Sequence, residues 1–204
     1  MDEDTLRHEV ATCCRLAEYL GLFDFSGHAS ARIQGTDTIL INSRDSVRSS
    51  IGPKDIVKVN LKGESLEQDI KAPSEIYIHT AIYQHRPDVN AVAHLHSPAV
   101  IALSVARKKF IPVIYRGSLF AEGVPLYDDS RLITSFERGE ALAETLGQCR
   151  AVIMRGHGSA VVAENVKALV FYSLILELNA KNQIAAYQMG EEPYVLGEEI
   201  VQTA

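Results

Sequence analysis

The chain has 204 residues, 47% hydrophobic and 23% charged, with a formal net charge of -6. Such a composition suits a globular protein with one sizeable core, and its acidic balance argues against a nucleic-acid surface. No apolar stretch reaches the roughly 20 residues of a membrane span, and the acidic start Met1-Asp2-Glu3-Asp4 is unlike a signal peptide. The three cysteines, adjacent Cys13 and Cys14 and the distant Cys149, follow no metal-binding spacing, so buried, reduced thiols in a cytoplasmic protein are expected.

In chain order, Leu6, Val10, Cys13, Cys14, Ala17 and Leu20 recur at helical spacing over 4–20, with Gly21 as the stop. Residues 23–30 are too polar and too rich in Gly and Ser for a helix. Short strands are predicted at 31–33, 38–42 and 56–61, each bounded by turn residues. The loop 43–50 carries Arg44, Arg48 and four serines, a composition that suits either an anion site or a solvated turn. Ser74 is placed to cap a helix whose apolar face is Ile78, Ala81 and Ile82 and which ends before Pro87. A strand follows over 88–96, and Ser97-Pro98 then opens another helix, with Arg107, Lys108 and Lys109 at its solvated end. Next come a short strand at 111–115, an irregular loop at 117–129 and a helix at 136–146 stopped by Gly147. Strands at 151–154 and 160–163 precede one long helix over 165–189. The tail from Gly190 is polar and acidic and reads as a loose end. Strands interleaved with helices, without repeats or linkers, predict an α/β or α+β arrangement with helices covering a sheet.

The chemistry gathers at 88–96. Strand side chains alternate, so Val92, His94 and His96 share one face, and two imidazoles at i and i+2 can grip one metal ion. His157 lies between Gly156 and Gly158 at another strand end, where the backbone can approach a ligand closely, and is the natural third ligand. Three histidines with an open position make the pattern of catalytic zinc; manganese, iron or cobalt would also fit. Glu75, at the first turn of the helix leading into the histidine strand, is the candidate acid/base, or else a dipole-stabilising glutamate. His79, one turn later, is placed to hydrogen-bond and orient it. His28 reads either as a substrate contact or as a loop cap, and His8 and His85 as surface residues.

Ser74-Glu75, then His94-Leu95-His96 nineteen residues after the glutamate, then Gly156-His157-Gly158, resemble the class II aldolase/adducin family. The likeness runs over about residues 5–188 and includes the segment from Tyr83 to Val92. It implies a three-layer α/β/α sandwich around a mixed, largely antiparallel sheet, with 1–204 as a single domain and 190–204 as its tail. It also implies a metal-dependent carbon–carbon lyase forming a metal-stabilised enolate or enediolate, with Glu75 moving the proton. The family further implies a homotetramer with sites between subunits, into which a neighbour's Tyr115 reaches. The segments with which the family's sugar-phosphate enzymes grip phosphate are altered to Gly27-His28-Ala29-Ser30, Ile41-Asn42-Ser43-Arg44 and Pro73-Ser74-Glu75. Gly27, His28, Ser43, Arg44 and Ser74 are therefore expected to bind a small substrate that is carboxylated rather than a sugar phosphate. Arginine forks suit carboxylates as well as phosphates. Retro-aldol cleavage and decarboxylation both remain open. So do a sugar-phosphate aldolase or epimerase and a non-catalytic adducin-like scaffold.

Overall fold

His94 of the central strand is carried by a sheet that is buried on both faces, and His96 follows one residue beyond the strand. A computed structural model describes residues 2–196. Its elements are α1 (Glu3–Tyr19), β1 (His28–Arg32), β2 (Thr38–Asn42), β3 (Ile56–Asn60), α2 (Ile76–His85), β4 (Ala91–Leu95), α3 (Pro98–Val105), β5 (Leu126–Tyr127), α4 (Phe136–Leu146), β6 (Ala151–Met154), β7 (Gly158–Ala163) and α5 (Val166–Gln188). Among the described residues seven strands form one sheet in the order β3-β2-β1-β4-β7-β6-β5. Every pairing is antiparallel except β5 with β6. Helices cover both faces, giving the α/β/α sandwich with a largely antiparallel sheet. No helix among the described residues is long and apolar enough to cross a membrane.

Alternation along the strands builds two separate cores. Ala29, Ala31, Ala93 and Leu95 point into a layer with Val10, Cys13 and Cys14 of α1, Leu103 of α3, and Leu169 and Leu176 of α5. Ile39, Ile41, Val92 and Val162 point the other way, against Ile78 and Ile82 of α2 and Leu142 of α4. Burial pushes the Cys14 thiol up to about 12 and raises Cys13 as well. Both are therefore protonated core residues, in keeping with their expected role. Local signals set the helix ends. Asp2 accepts from the Thr5 N–H at 2.8 Å to start α1, and Asn165 accepts from the Ala168 N–H at 2.9 Å to start α5.

The strand expected at 31–33 instead spans His28–Arg32. Its polar residues His28 and Ser30 read as loop in sequence, but they are buried and face α2. Residues 111–115 form no strand. Their backbone groups are met by side chains of α5: Asn179 accepts from Val113 N at 2.9 Å and donates to Ile111 O at 2.7 Å, and Gln183 accepts from Ile111 N at 3.2 Å. The expected loop 117–129 contains part of a 3-10 helix, Tyr115–Phe120, and the short strand β5. Ser97 makes no side-chain cap; the buried Glu177 carboxylate takes its place, accepting from Ala99 N at 3.1 Å. Of the tail, 197–204 lie outside the described residues, and Leu196 N donates to Pro112 O at 3.1 Å.

Candidate metal centre

His94 stands near the end of β4, and His96 one residue past it. His94 Nδ1 lies 3.2 Å from the Ser159 carbonyl of β7. A carbonyl only accepts, so Nδ1 carries the proton and Nε2 presents a lone pair. His96 Nδ1 lies 2.8 Å from Asp24 Oδ2 and 3.2 Å from Ser26 Oγ, which fixes its tautomer the same way. The two Nε2 atoms then face each other at 2.9 Å. Two opposed lone pairs repel unless a proton or a metal cation lies between them. His157 completes the group, for both of its ring nitrogens are buried without a hydrogen-bond partner among the described residues. Ligand atoms of His94, His96 and His157 all lie within 4.8 Å of one another. The flanking glycines are required: Gly156 has φ +63°, and a Cβ on Gly158 would stand 2.3 Å from Leu95 O and 2.9 Å from His96 Cδ2. Three converging imidazoles, with the outer nitrogens of His94 and His96 already committed, are the donor set a divalent ion of the zinc type takes.

Glu75 closes the cluster. One carboxylate oxygen lies 3.7 Å from His94 Nε2 and the other 3.6 Å from His157 Nε2. Burial pushes its carboxyl up, but the His157 contact, the nearby His94 and the Ile133 N–H at 2.8 Å together outweigh burial and hold it at about 2. Glu75 is thus a buried anion. The helix begins one residue later than Ser74 predicts. Glu75 occupies the cap position and Ser74 is exposed, because the glutamate backbone (φ -97°, ψ 31°) is not helical.

His79 does not orient Glu75. Its Nε2 meets His28 Nδ1 at 2.7 Å and its Nδ1 meets Ser30 Oγ at 2.6 Å. Burial pushes His79 down to about 3, and His94 likewise to about 3 despite the nearby Glu75, so both are neutral. His28, opposite His94 in the sheet, brings a third buried ring beside the cluster.

The expected substrate contacts divide. Gly27 is buried and its carbonyl accepts from Arg48 Nε at 2.7 Å. Arg48 is itself only 5% exposed; Nη1 is held by the Ser46 carbonyl and hydroxyl, which leaves Nη2 without a partner among the described residues. Arg44 and Arg48 line a cavity of about 440 Å³ with Phe23, Asp24, Phe25 and Val47. Asp24 joins that cavity to His96. Ser43 is buried beside Arg44, which is exposed. Tyr115 stands 57% exposed and makes no hydrogen bond to the cluster of its own chain among the described residues. Sequence reasoning missed Asp24, Ser26 and the Ser159 carbonyl. An Asp-x-Ser turn was legible at 24–26, where Ser26 N donates to Asp24 Oδ1 at 2.7 Å. Nothing local ties it to His96.

Residues 8–184 match the family model described as Class II Aldolase and Adducin N-terminal domain. A 3,4-dihydroxyphthalate decarboxylase of Rhodococcus jostii (strain RHA1) is 32% identical, across 93% of this chain and 83% of its own. Gamma-adducin of Mus musculus is 30% identical across 89% of this chain but only 27% of its own. An L-fuculose 1-phosphate aldolase structure superposes with TM-score 0.89 over 100% of this chain and 95% of its own; at 22% identity that likeness is one of fold.

Proposed function

The chain belongs to the class II aldolase and adducin N-terminal domain family, and on that premise we propose that it is a metal-dependent carbon–carbon lyase that decarboxylates a small hydroxylated carboxylic acid. The observation that carries the reading is the convergence of three imidazoles and an anionic glutamate in one buried cluster. His94, His96 and His157 would hold the ion, with zinc as the resident metal. Bound there, a divalent ion supplies Lewis-acid stabilisation of negative charge on a substrate oxygen.

The chain's own residues supply the rest. Glu75 accepts the proton of a substrate hydroxyl and returns it to the carbon that loses the carboxylate. The carbon–carbon bond breaks, its electron pair stays on that carbon's conjugated system, and carbon dioxide leaves. The free Nη2 of Arg48 and the guanidinium of Arg44, which line the adjoining cavity, hold a carboxylate there, and the same reading keeps Gly27, His28, Ser43 and Ser74 as substrate contacts. The decarboxylase relative supports carboxylate over phosphate. In the same reading 1–204 form a single domain in a cytoplasmic homotetramer, and Tyr115 serves a neighbouring subunit's site.

Gamma-adducin supports a second reading, a scaffold without chemistry. The three histidines and Glu75 have no work in a scaffold. Assaying carbon dioxide release from hydroxyaryl carboxylates, beside cleavage of fuculose- and ribulose-type phosphates, tests the proposal. Turnover of carboxylates is expected. Efficient turnover of the phosphates alone would overturn decarboxylation.

A further inference from the structure

Behind His28 runs a chain of buried polar groups that the proposed chemistry does not use. Tyr83, Ser30, His79 and His28 are each 2% exposed or less. Tyr83 OH lies 2.9 Å from Ser30 Oγ, Ser30 Oγ 2.6 Å from His79 Nδ1, and His79 Nε2 2.7 Å from His28 Nδ1. Nearly every buried hydrogen finds an acceptor, so the protons along the chain can be assigned by counting.

The count starts at Tyr83. Its hydroxyl has no hydrogen-bond partner besides Ser30 among the described residues, and a backbone group close to it, the Val92 N–H, is itself a donor. The phenolic proton must therefore go to Ser30 Oγ. Ser30 has only His79 left to donate to, so His79 Nδ1 accepts. A neutral imidazole carries one proton, which places it on His79 Nε2, donating to His28 Nδ1. The proton of His28 is left on Nε2, the ring nitrogen free to meet the cluster. A His28 ring nitrogen, a His94 ring nitrogen and a Glu75 oxygen lie within 4.8 Å of one another, a trio that by residue type alone would pass for a second metal site. The count rules that out for His28, since an N–H cannot ligate a metal.

We propose that His28 is a fixed-tautomer hydrogen-bond donor to a substrate oxyanion beside Glu75, and that His79, Ser30 and Tyr83 are positioning residues that lock its tautomer. The oxyanion is a carboxylate or enolate oxygen of the substrate. A donor preset by buried partners needs no reorganisation as charge develops, the condition under which such contacts act most strongly on a transition state. This inference rests on reading the Glu75–His94 cluster as the reacting site.

The test is the tautomer itself, read by long-range proton–nitrogen NMR on the zinc-loaded protein with nitrogen-15-labelled histidine. The expected result is a protonated Nε2 and a bare Nδ1 on both His28 and His79. A bare or metal-shifted Nε2 on His28 would overturn the proposal. In Tyr83→Phe the direction is no longer forced, and a second set of His28 signals is expected; an unchanged single tautomer would overturn the locking role. His28→Ala should lower kcat on the order of 10²–10³-fold with metal stoichiometry unchanged, whereas loss of the metal would make His28 a ligand and defeat the proposal. The tautomer is read without turnover. It therefore fails separately from the lyase reading, which carbon dioxide release decides.

Discussion

On β1, Ala29 and Ala31 turn toward α1 and α5 and disappear into an apolar layer, while their neighbours His28 and Ser30 turn toward α2 and are buried just as deeply. On β4 the same division separates Ala93 and Leu95 from His94. One face of the sheet is held by hydrophobic burial. The other has an apolar core of its own around Ile39, Ile41, Ile78 and Leu142, but beside that core it carries imidazoles, a hydroxyl and a carboxylate where apolar side chains would have filled the space at no desolvation cost. Buried polar groups are tolerated only when their hydrogen bonds are met, and the His28–His79–Ser30–Tyr83 chain meets them. The histidine cluster does not, since His157 keeps two nitrogens unpartnered among the described residues and two lone pairs meet between His94 and His96. The contrast teaches that the histidine end of the α2 side was not shaped for stability alone. It is shaped around something charged.

Substitutions on the two sides should therefore separate function from stability. Glu75→Gln, on the polar side, should cut kcat by about 10²–10⁴-fold while bound metal persists; steady-state rates beside elemental analysis check both halves. Leu169→Ala, in the apolar layer, should lower unfolding free energy by about 2–5 kcal/mol in urea melts and leave the metal in place. If Leu169→Ala emptied the cluster, the two faces would not be independent. Asp24→Asn weakens the acceptor behind His96 and should reduce metal affinity about 10–100-fold, measured by competition with a chromogenic chelator. The most gradual effect is a pH slope. The folded His79 imidazole lies near 3 against 6.5 for the free group, so between those values the unfolded chain binds more protons. Stability is then whole above about pH 6.5 and falls as pH drops toward 3, by about 1.4 kcal/mol per pH unit for such an imidazole. Urea melts from pH 7 to pH 4, with chelator throughout, would show it, and a flat profile would mean that His79 is not held neutral.

Much of this was legible from residue order. The elements β2, α4 and β6 follow an apolar period cut by glycine or polar turns, and the structure has them where that period predicts. The convergence of His94, His96 and His157 was legible too, since strand alternation and the Gly-His-Gly turn act locally. What escaped depends on distant partners. His28 and Ser30 look like loop until α2 covers them, and 111–115 look like a strand until Asn179 and Gln183 take its hydrogen bonds. The pairing of Asp24 with His96 and the drift of His79 from Glu75 to His28 belong to the same class. Side-chain types foretell chemistry, but which buried donor meets which acceptor is decided only when the layers close.

The central claim is that the polar face is built to hold a divalent ion. Elemental analysis of the purified protein, before and after dialysis with zinc, tests it most directly. One ion per chain, lost in His157→Ala, is the expected result. A protein that stays metal-free at saturating zinc would contradict the account.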